Sequence, residues 1–156
     1  MEPKKLHLYI DTSVVGGYYD SEFDTDTKQL FEEIKQGKFH LIISDVTEDE
    51  LLEAPEQVRK LIPSLPQHLI TKIALTEEAI QLADTYISEN VVGATSRDDC
   101  FHIALATINR ADVLVSWNFK HIVNIVRIRG YNAVNIKLGY PVLDIRSPKE
   151  IIDNGN

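Results

Sequence analysis

The sequence predicts an α/β domain with a central, mainly parallel sheet flanked by helices. Short apolar segments typical of buried strands alternate with segments whose apolar residues have helical spacing. The 156 residues contain no repeat, low-complexity tract or Ser/Gly/Pro-rich linker, which predicts a single domain over residues 1–156. Hydrophobic residues make up 44% of the chain, which is enough to build a packed core.

Strands are predicted where apolar and β-branched residues follow one another between turn signals. These segments are 6–10, 39–43, 113–117, 133–136 and 142–145. The segment 69–75, after the break at Pro63 and Pro66, is equally consistent with a strand and with a loop.

Helices are predicted where apolar residues recur three and four positions apart. These segments are 27–35, 47–62 with a break or restart at Pro55, 77–89, 96–108 and a short stretch around 122–126. Thr76 and Ser96 are the predicted caps of the third and fourth helices. Ser147-Pro148-Lys149-Glu150 has the pattern of a capping box that opens a last, very short helix.

Composition limits the classes of protein that this chain can belong to. Sixteen basic and 24 acidic residues give a net charge of −8, which argues mildly against nucleic-acid binding as the main task. Residues 1–96 carry −10 and residues 97–156 carry +2, which is consistent with a basic C-terminal surface and equally with a random excess of solvated charges. No segment approaches the ~20 apolar residues of a membrane span, and no signal peptide is evident, so a cytoplasmic protein is expected.

Asp11, Ser44 and Asn118 each come directly after a predicted strand. Ligands of parallel sheets bind at the carboxyl ends of the strands, so this is where a functional site is expected. Asp11 can equally be a turn residue or helix cap. Asn118 is either a group that faces substrate, with Ser116 shaping the turn, or a cap after the strand.

Glu50 and Asp99 each have two interpretations. Thr47 and Glu50 fit a capping box, which would occupy the Glu50 carboxylate. Asp99 lies in the first turn of a predicted helix, where acids are favoured, but it also borders that helix's buried stripe and there needs a partner such as a metal ion. Three carboxylates from distant segments can hold Mg²⁺ or Mn²⁺. Without a cation they would repel a phosphodiester.

Other catalytic schemes have less support. The sequence has no Gly-x-Ser-x-Gly elbow, Walker loop or Rossmann glycine pattern. The single cysteine, Cys100, excludes an internal disulfide and a zinc site of several thiolates, and it is predicted to be a core residue. His102 is predicted to be a structural or surface residue on the flank of its helix.

Four short motifs occur in the order of a PIN domain: Asp11-Thr12-Ser13, Ser44 to Glu50-Leu51, Asp99 to Ala104, and Ser116-Trp117-Asn118. The sequence resembles the PIN-domain superfamily over about residues 6–124, and within it the stand-alone prokaryotic PIN proteins and VapC-like toxins. This resemblance implies a metal-dependent endoribonuclease, the toxin of a type II toxin–antitoxin pair. It implies Asp11, Glu50 and Asp99 as ligands of Mg²⁺ or Mn²⁺, with Asn118 at the family's polar position after the fourth strand.

The sequence departs from the VapC-like pattern at His121, where a further aspartate is common. His121 would ligate Mn²⁺, bind a phosphate by hydrogen bonding, or simply end a loop. Ser13 and Ser116 are two additional candidate residues of the site. The departure leaves two function classes open, a ribonuclease and a catalytically degenerate PIN-like module that binds RNA or protein. The partners that the resemblance implies are an RNA substrate, an antitoxin protein and a second copy of the chain.

Overall fold

The computed structural model describes residues 4–153, so the predicted domain limits at residues 1 and 156 lie outside the described residues. Five strands form one parallel sheet in the order β3-β2-β1-β4-β5. The strands are β1 (Leu6–Ile10), β2 (Phe39–Ser44), β3 (Ile70–Ile73), β4 (Val113–Val115) and β5 (Asp144–Arg146). The predicted α/β class with a parallel central sheet is therefore confirmed.

Eight α-helices connect and cover the strands between residues 4 and 153. They are α1 (Thr12–Gly17), α2 (Asp24–Lys35), α3 (Asp45–Leu51), α4 (Glu56–Arg59), α5 (Glu77–Ser88), α6 (Arg97–Ile108), α7 (Ile125–Lys137) and α8 (Pro148–Ile151). The longest of them, α7, has 13 residues, and no helix in this part of the chain is both long and apolar enough to cross a bilayer.

Both faces of the sheet are buried, as parallel sheets require. Leu8 and Ile10 of β1 point into one core, which they share with α2 and α8. Tyr9, between them, points into a second core formed with α5, α6 and α7. Cys100 lies in this second core with no exposed surface, as predicted. The sheet therefore lies between two layers of helices, and β1 is its central strand, between β2 and β4.

The C-terminal part contains the clearest error of the sequence prediction. Residues 133–136 were predicted to form a strand, but they belong to α7. The side chain of Asn124 starts this helix by accepting hydrogen bonds from the amides of Val126 and Arg127. Tyr131 and Val134, three positions apart, are both buried, so packing on one helical face outweighs local β-propensity. Of the short helix predicted around 122–126, only residues 125 and 126 are helical, as the first two residues of α7.

Smaller differences concern the ends of elements. The last strand begins two residues later than predicted, the ambiguous segment 69–75 contains β3, and α1 was not predicted. Thr76 caps α5 and the capping box opens α8, as expected. Ser96 occupies the cap position of α6, but its side chain makes no capping hydrogen bond, so that prediction is wrong.

Candidate active site

The site begins where β1, β2 and β4 end, because the carboxyl ends of parallel strands meet at one edge of the sheet. Asp11 follows β1, Ser44 closes β2 and Ser116 follows β4. All three side chains are buried. The Asp11 amide donates a hydrogen bond of 3.4 Å to the carbonyl oxygen of Val115, which joins the ends of β1 and β4.

The Asp11 carboxylate is held by three hydrogen bonds. Oδ1 accepts from the Ser13 hydroxyl at 2.6 Å and from the Val14 amide at 3.2 Å, and Oδ2 accepts from the Ser116 hydroxyl at 2.5 Å. Asp11 therefore caps α1, which confirms one of its two interpretations, and its role as a functional residue stays a prediction. Burial raises the pKa of the Asp11 carboxyl, although nearby His102 and the two hydroxyl donors oppose the rise.

The two serines extend this network into the loop after β4. Ser13 Oγ accepts from the Trp117 amide and Ser116 Oγ from the Asn118 amide, each at 2.9 Å. The side-chain oxygen of Asn118 accepts from the amides of Lys120 at 3.2 Å and His121 at 3.0 Å. Asn118 thus stabilises the turn, which is one of its two predicted roles.

Glu50 is not part of a capping box, so the predicted cap at Thr47 is wrong. Helix α3 begins at Asp45, and Ser44 caps it by accepting from the Thr47 amide at 3.2 Å. This earlier start moves Glu50 beyond the first turn and leaves its carboxylate available. Glu50 Oε1 instead lies 2.6 Å from Nε2 of His102.

His102 connects Glu50 to the centre of the sheet. Its Nδ1 hydrogen-bonds the Tyr9 hydroxyl at 2.6 Å, and that hydroxyl also bonds Ser44 Oγ at 2.7 Å. Only 3% of His102 is exposed, so the predicted position on the helix flank is wrong, and the sequence analysis missed both His102 and Tyr9 as site residues. The one available signal was spacing, because His102 lies three positions after Asp99 on α6 and shares its face.

The charge of His102 and the charges of the carboxylates around it depend on one another. Burial alone would lower the pKa of His102, but its hydrogen bond to Glu50 and the Asp11, Glu50 and Asp99 carboxylates raise it above the usual value. Burial alone would raise the pKa of Glu50, but the hydrogen bond and charge of His102 lower it. The Thr12 hydroxyl adds to this lowering, although its geometry does not make a regular hydrogen bond.

Asp99 belongs to the same electrostatic group. Burial raises the pKa of its carboxyl, and the negative charges of Asp11 and Glu50 raise it further, whereas His121 and His102 lower it. No hydrogen bond from residues 4–153 reaches the Asp99 carboxylate, so it does not act as a helix cap there. His121, the residue at the missing-acid position, has a buried Nδ1 with no hydrogen-bond partner within that range.

The donor chemistry of this group fits a hard divalent cation. Carboxylate oxygens are the ligands that Mg²⁺ and Mn²⁺ take, and a cation would neutralise the negative charges of Asp11 and Glu50 that raise the pKa of Asp99. The arrangement is nevertheless not a preformed coordination shell. In the described part of the chain, no three His, Cys, Asp or Glu side chains are placed to hold one metal ion. The expected close convergence of three carboxylates is therefore not seen, since Asp11 and Glu50 are engaged with hydroxyls and with His102.

Comparison with known proteins identifies the fold. No family model and no curated protein matches the sequence. The structure is similar to a chain in the crystal structure of VapBC2 from Rickettsia felis bound to a DNA fragment from its promoter. The match covers 91% of this chain and 98% of that chain, with a TM-score of 0.56 and 14% sequence identity. At this identity the similarity shows the fold alone, and it confirms the PIN-like fold that the sequence motifs predicted.

Proposed function

We propose that this protein is a metal-dependent endoribonuclease that hydrolyses RNA phosphodiester bonds. The observation that carries the proposal is that the charges of Asp11 and Glu50 raise the pKa of Asp99, and that all three carboxylates raise the pKa of His102, at the carboxyl edge of a PIN-like sheet. These three residues come from the end of β1, from α3 and from α6, so acids that are far apart in the sequence are close enough in the fold to influence the same histidine, His102. Perturbed carboxylates grouped in this way are typical of catalytic sites.

The chain's own residues orient the carboxylates. Ser13 and Ser116 hold both oxygens of Asp11 from one side, and His102 holds Oε1 of Glu50 from the other. Asp99, which accepts no hydrogen bond within residues 4–153, is free to adjust to a ligand. A divalent cation bound by Asp11, Glu50 and Asp99 would supply positive charge to a phosphate and acidify an attacking water molecule.

Cleavage assays with matched variants test the proposal. Purified protein is incubated with a panel of structured RNAs, first in EDTA and then with Mg²⁺ or Mn²⁺ restored. We expect cleavage only with metal, and we expect Asp11→Asn and Asp99→Asn to lose most of it. The control is Asp98→Asn, which removes the same charge from the exposed neighbour of Asp99 and should stay within about 2-fold of the wild-type rate.

Two results would contradict the proposal. Cleavage that persists unchanged in Asp11→Asn would indicate a contaminant or another site. Absence of cleavage, together with no heat of Mn²⁺ binding in calorimetry, would favour the second candidate, a degenerate PIN-like module that binds RNA or protein. The specific observations that favour this second candidate are His121 at the place of an acid and the absence of a preformed three-ligand group in residues 4–153.

We further propose that the ribonuclease is the toxin of a toxin–antitoxin pair acting in the cytoplasm. The similarity of its fold to a chain of the VapBC2 complex supports this assignment. An antitoxin protein and a second copy of the chain are then the expected partners. Expression with the product of the neighbouring reading frame, followed by purification and light scattering, would detect both, and a chain that purifies alone as a monomer would count against them.

A further inference from the structure

Phe119 is an exposed aromatic residue directly beside the candidate active site. Half of its surface is accessible, although it lies only one residue after Asn118, whose amide is bound to Ser116. The adjacent Trp117 has its amide bound to Ser13 Oγ. Both serines donate to the Asp11 carboxylate. The chain therefore presents an uncovered ring within three residues of a group that holds the proposed catalytic acid.

The Phe119 ring rests on a fixed aromatic base. Its centroid lies 6.0 Å from that of Trp117, and Trp117 is stacked on Phe23 with centroids 4.3 Å apart. The Trp117 indole N–H donates to the buried Thr27 hydroxyl at 2.9 Å, and Gly17 packs against the same indole. Phe119 thus meets the Trp117 ring at 64°, in an edge-to-face arrangement, and half of its surface stays exposed and available for stacking.

The turn that carries Phe119 is also fixed in position. The side-chain oxygen of Asn118 accepts hydrogen bonds from the backbone amides of Lys120 and His121. The backbone carbonyl oxygen of Asn118 accepts hydrogen bonds from the backbone amides of Ile122 and Val123. A platform on such a turn loses little conformational entropy when a ligand binds. Lys120, the next residue, is exposed and makes no ion pair with any residue between 4 and 153.

We propose that Phe119 stacks on an unpaired base of the RNA substrate and that Lys120 binds a neighbouring phosphate. This inference rests on the proposed function and specifies its substrate as single-stranded next to the cleaved bond. Aromatic rings recognise RNA by stacking on unstacked bases, and a basic side chain nearby neutralises the backbone. Asp20, Glu22 and Asp24 lie within three residues of Phe23 in the sequence, and their negative charges disfavour a phosphate there, so the proposed phosphate contact is with Lys120.

Binding measurements in EDTA separate stacking from backbone contact, because the proposed cleavage cannot occur there. The probes are a labelled uridine hexanucleotide and a hexamer of the same ribose-phosphate backbone without bases. Anisotropy gives Kd, and the fluorescence of Trp117, the only tryptophan, reports contact at the platform. We expect Phe119→Ala to weaken binding of the uridine hexamer by about 5- to 100-fold and to leave the baseless hexamer unchanged.

Four further variants define the result. Phe119→Tyr should restore binding because it keeps the ring, whereas Phe119→Leu should not, although it keeps apolar surface. Lys120→Gln should weaken the binding of both probes, and it should reduce the slope of log K against log salt concentration by about one. Val142→Ala removes a similarly exposed apolar side chain near Asp112, at the opposite edge of the sheet, and should change neither Kd.

The inference is overturned if Phe119→Ala binds the uridine hexamer like the wild type, if it weakens both probes equally, or if Phe119→Leu binds normally. Failure of the wild type to bind the hexamer, both in EDTA and with Mn²⁺ restored, overturns it as well. The proposed function fails separately, because it is decided by metal-dependent cleavage in the wild type and its loss in Asp11→Asn. If the wild type cleaves RNA but Phe119 has no role in binding, the proposed ribonuclease activity stands, and the exposed ring is assigned to a protein partner.

Discussion

Tyr9→Phe removes a single hydroxyl from the centre of the sheet and tests whether that hydroxyl positions the candidate site. Tyr9 is fully buried, and its hydroxyl bonds Ser44 Oγ at 2.7 Å and His102 Nδ1 at 2.6 Å. His102 in turn holds Glu50 through its other ring nitrogen. Loss of the buried Tyr9 hydroxyl should therefore also affect how His102 holds the Glu50 carboxylate.

The expected size of the effect follows from which partners lose their hydrogen bonds. Phenylalanine keeps the ring and its packing, and Ser44 keeps the Thr47 amide at 3.2 Å. His102 Nδ1 is left with no partner while buried, and an unsatisfied buried polar group costs ~1–3 kcal/mol. We expect the free energy of unfolding to fall by about 2 kcal/mol. For a chain of this length the Tm then falls by about 4–8 °C.

Thermal and urea unfolding followed by circular dichroism measure this loss. Tyr19→Phe is the matched control, because it removes the same hydroxyl from a side chain that is 46% exposed and makes no hydrogen bond within residues 4–153. This control should change the free energy of unfolding by less than about 0.5 kcal/mol. Equal Tm values for the two variants would refute the reasoning, since the Tyr9 hydroxyl would then hold nothing in place.

The remaining predictions concern pH, packing and the Asp11 network. Because the folded-state pKa of His102 is raised, the stability it adds is present below its usual pKa of 6.5 and is lost as pH rises through the raised pKa. Unfolding in urea should therefore become easier as pH rises above 6.5, and less so in His102→Gln. Gly17→Ala should cost about 1–3 kcal/mol of unfolding free energy and alter Trp117 fluorescence, because the new Cβ would lie 2.8 Å from the indole nitrogen. Ser116→Ala should raise the pKa of Asp11 further and move the acidic limit of the proposed RNA cleavage to higher pH.

Matched controls accompany two of these variants. Gly16→Ala adds a Cβ with nothing within 4 Å and should be neutral or slightly stabilising, since alanine favours the helix. Ser88→Ala removes an exposed hydroxyl that bonds only the carbonyl oxygen of Thr85, and it should leave the pH profile of cleavage unchanged. A Gly17→Ala protein as stable as Gly16→Ala would contradict the packing argument, and a Ser116→Ala profile like that of Ser88→Ala would contradict the electrostatic one.

The strands at the centre of the sheet were predictable because their signal is local. Strands β1 and β2 are mainly apolar, each with one histidine as its second residue, which is close to the pattern of a strand buried on both faces. Helix α7 was not predictable in the same way. Its β-branched residues favour a strand locally, and only packing against α5 and the cap at Asn124 decides for a helix.

The site was predictable in its acids but not in the groups that hold them. Asp11 was found because it follows a strand, and Glu50 and Asp99 because of the ordered motifs. The contact between Glu50 and His102 joins residues 52 positions apart, and that between Tyr9 and His102 joins residues 93 positions apart. Such separations leave no periodicity in the sequence. The wrong cap at Thr47 had a local cause, because Ser44 and Thr47 are both good caps and only the end of β2 selects the first.

The histidine at position 121 changes how the charges of the site balance. Three carboxylates carry a charge of −3 when ionised, and His102, whose pKa is raised, supplies a positive charge when protonated. One divalent cation would then bring the group close to neutrality. A fourth acid would leave an uncompensated negative charge and favour a second cation. His121, by contrast, lowers the pKa of Asp99 and adds no negative charge. This charge balance matches the proposed metal site to one divalent cation rather than two.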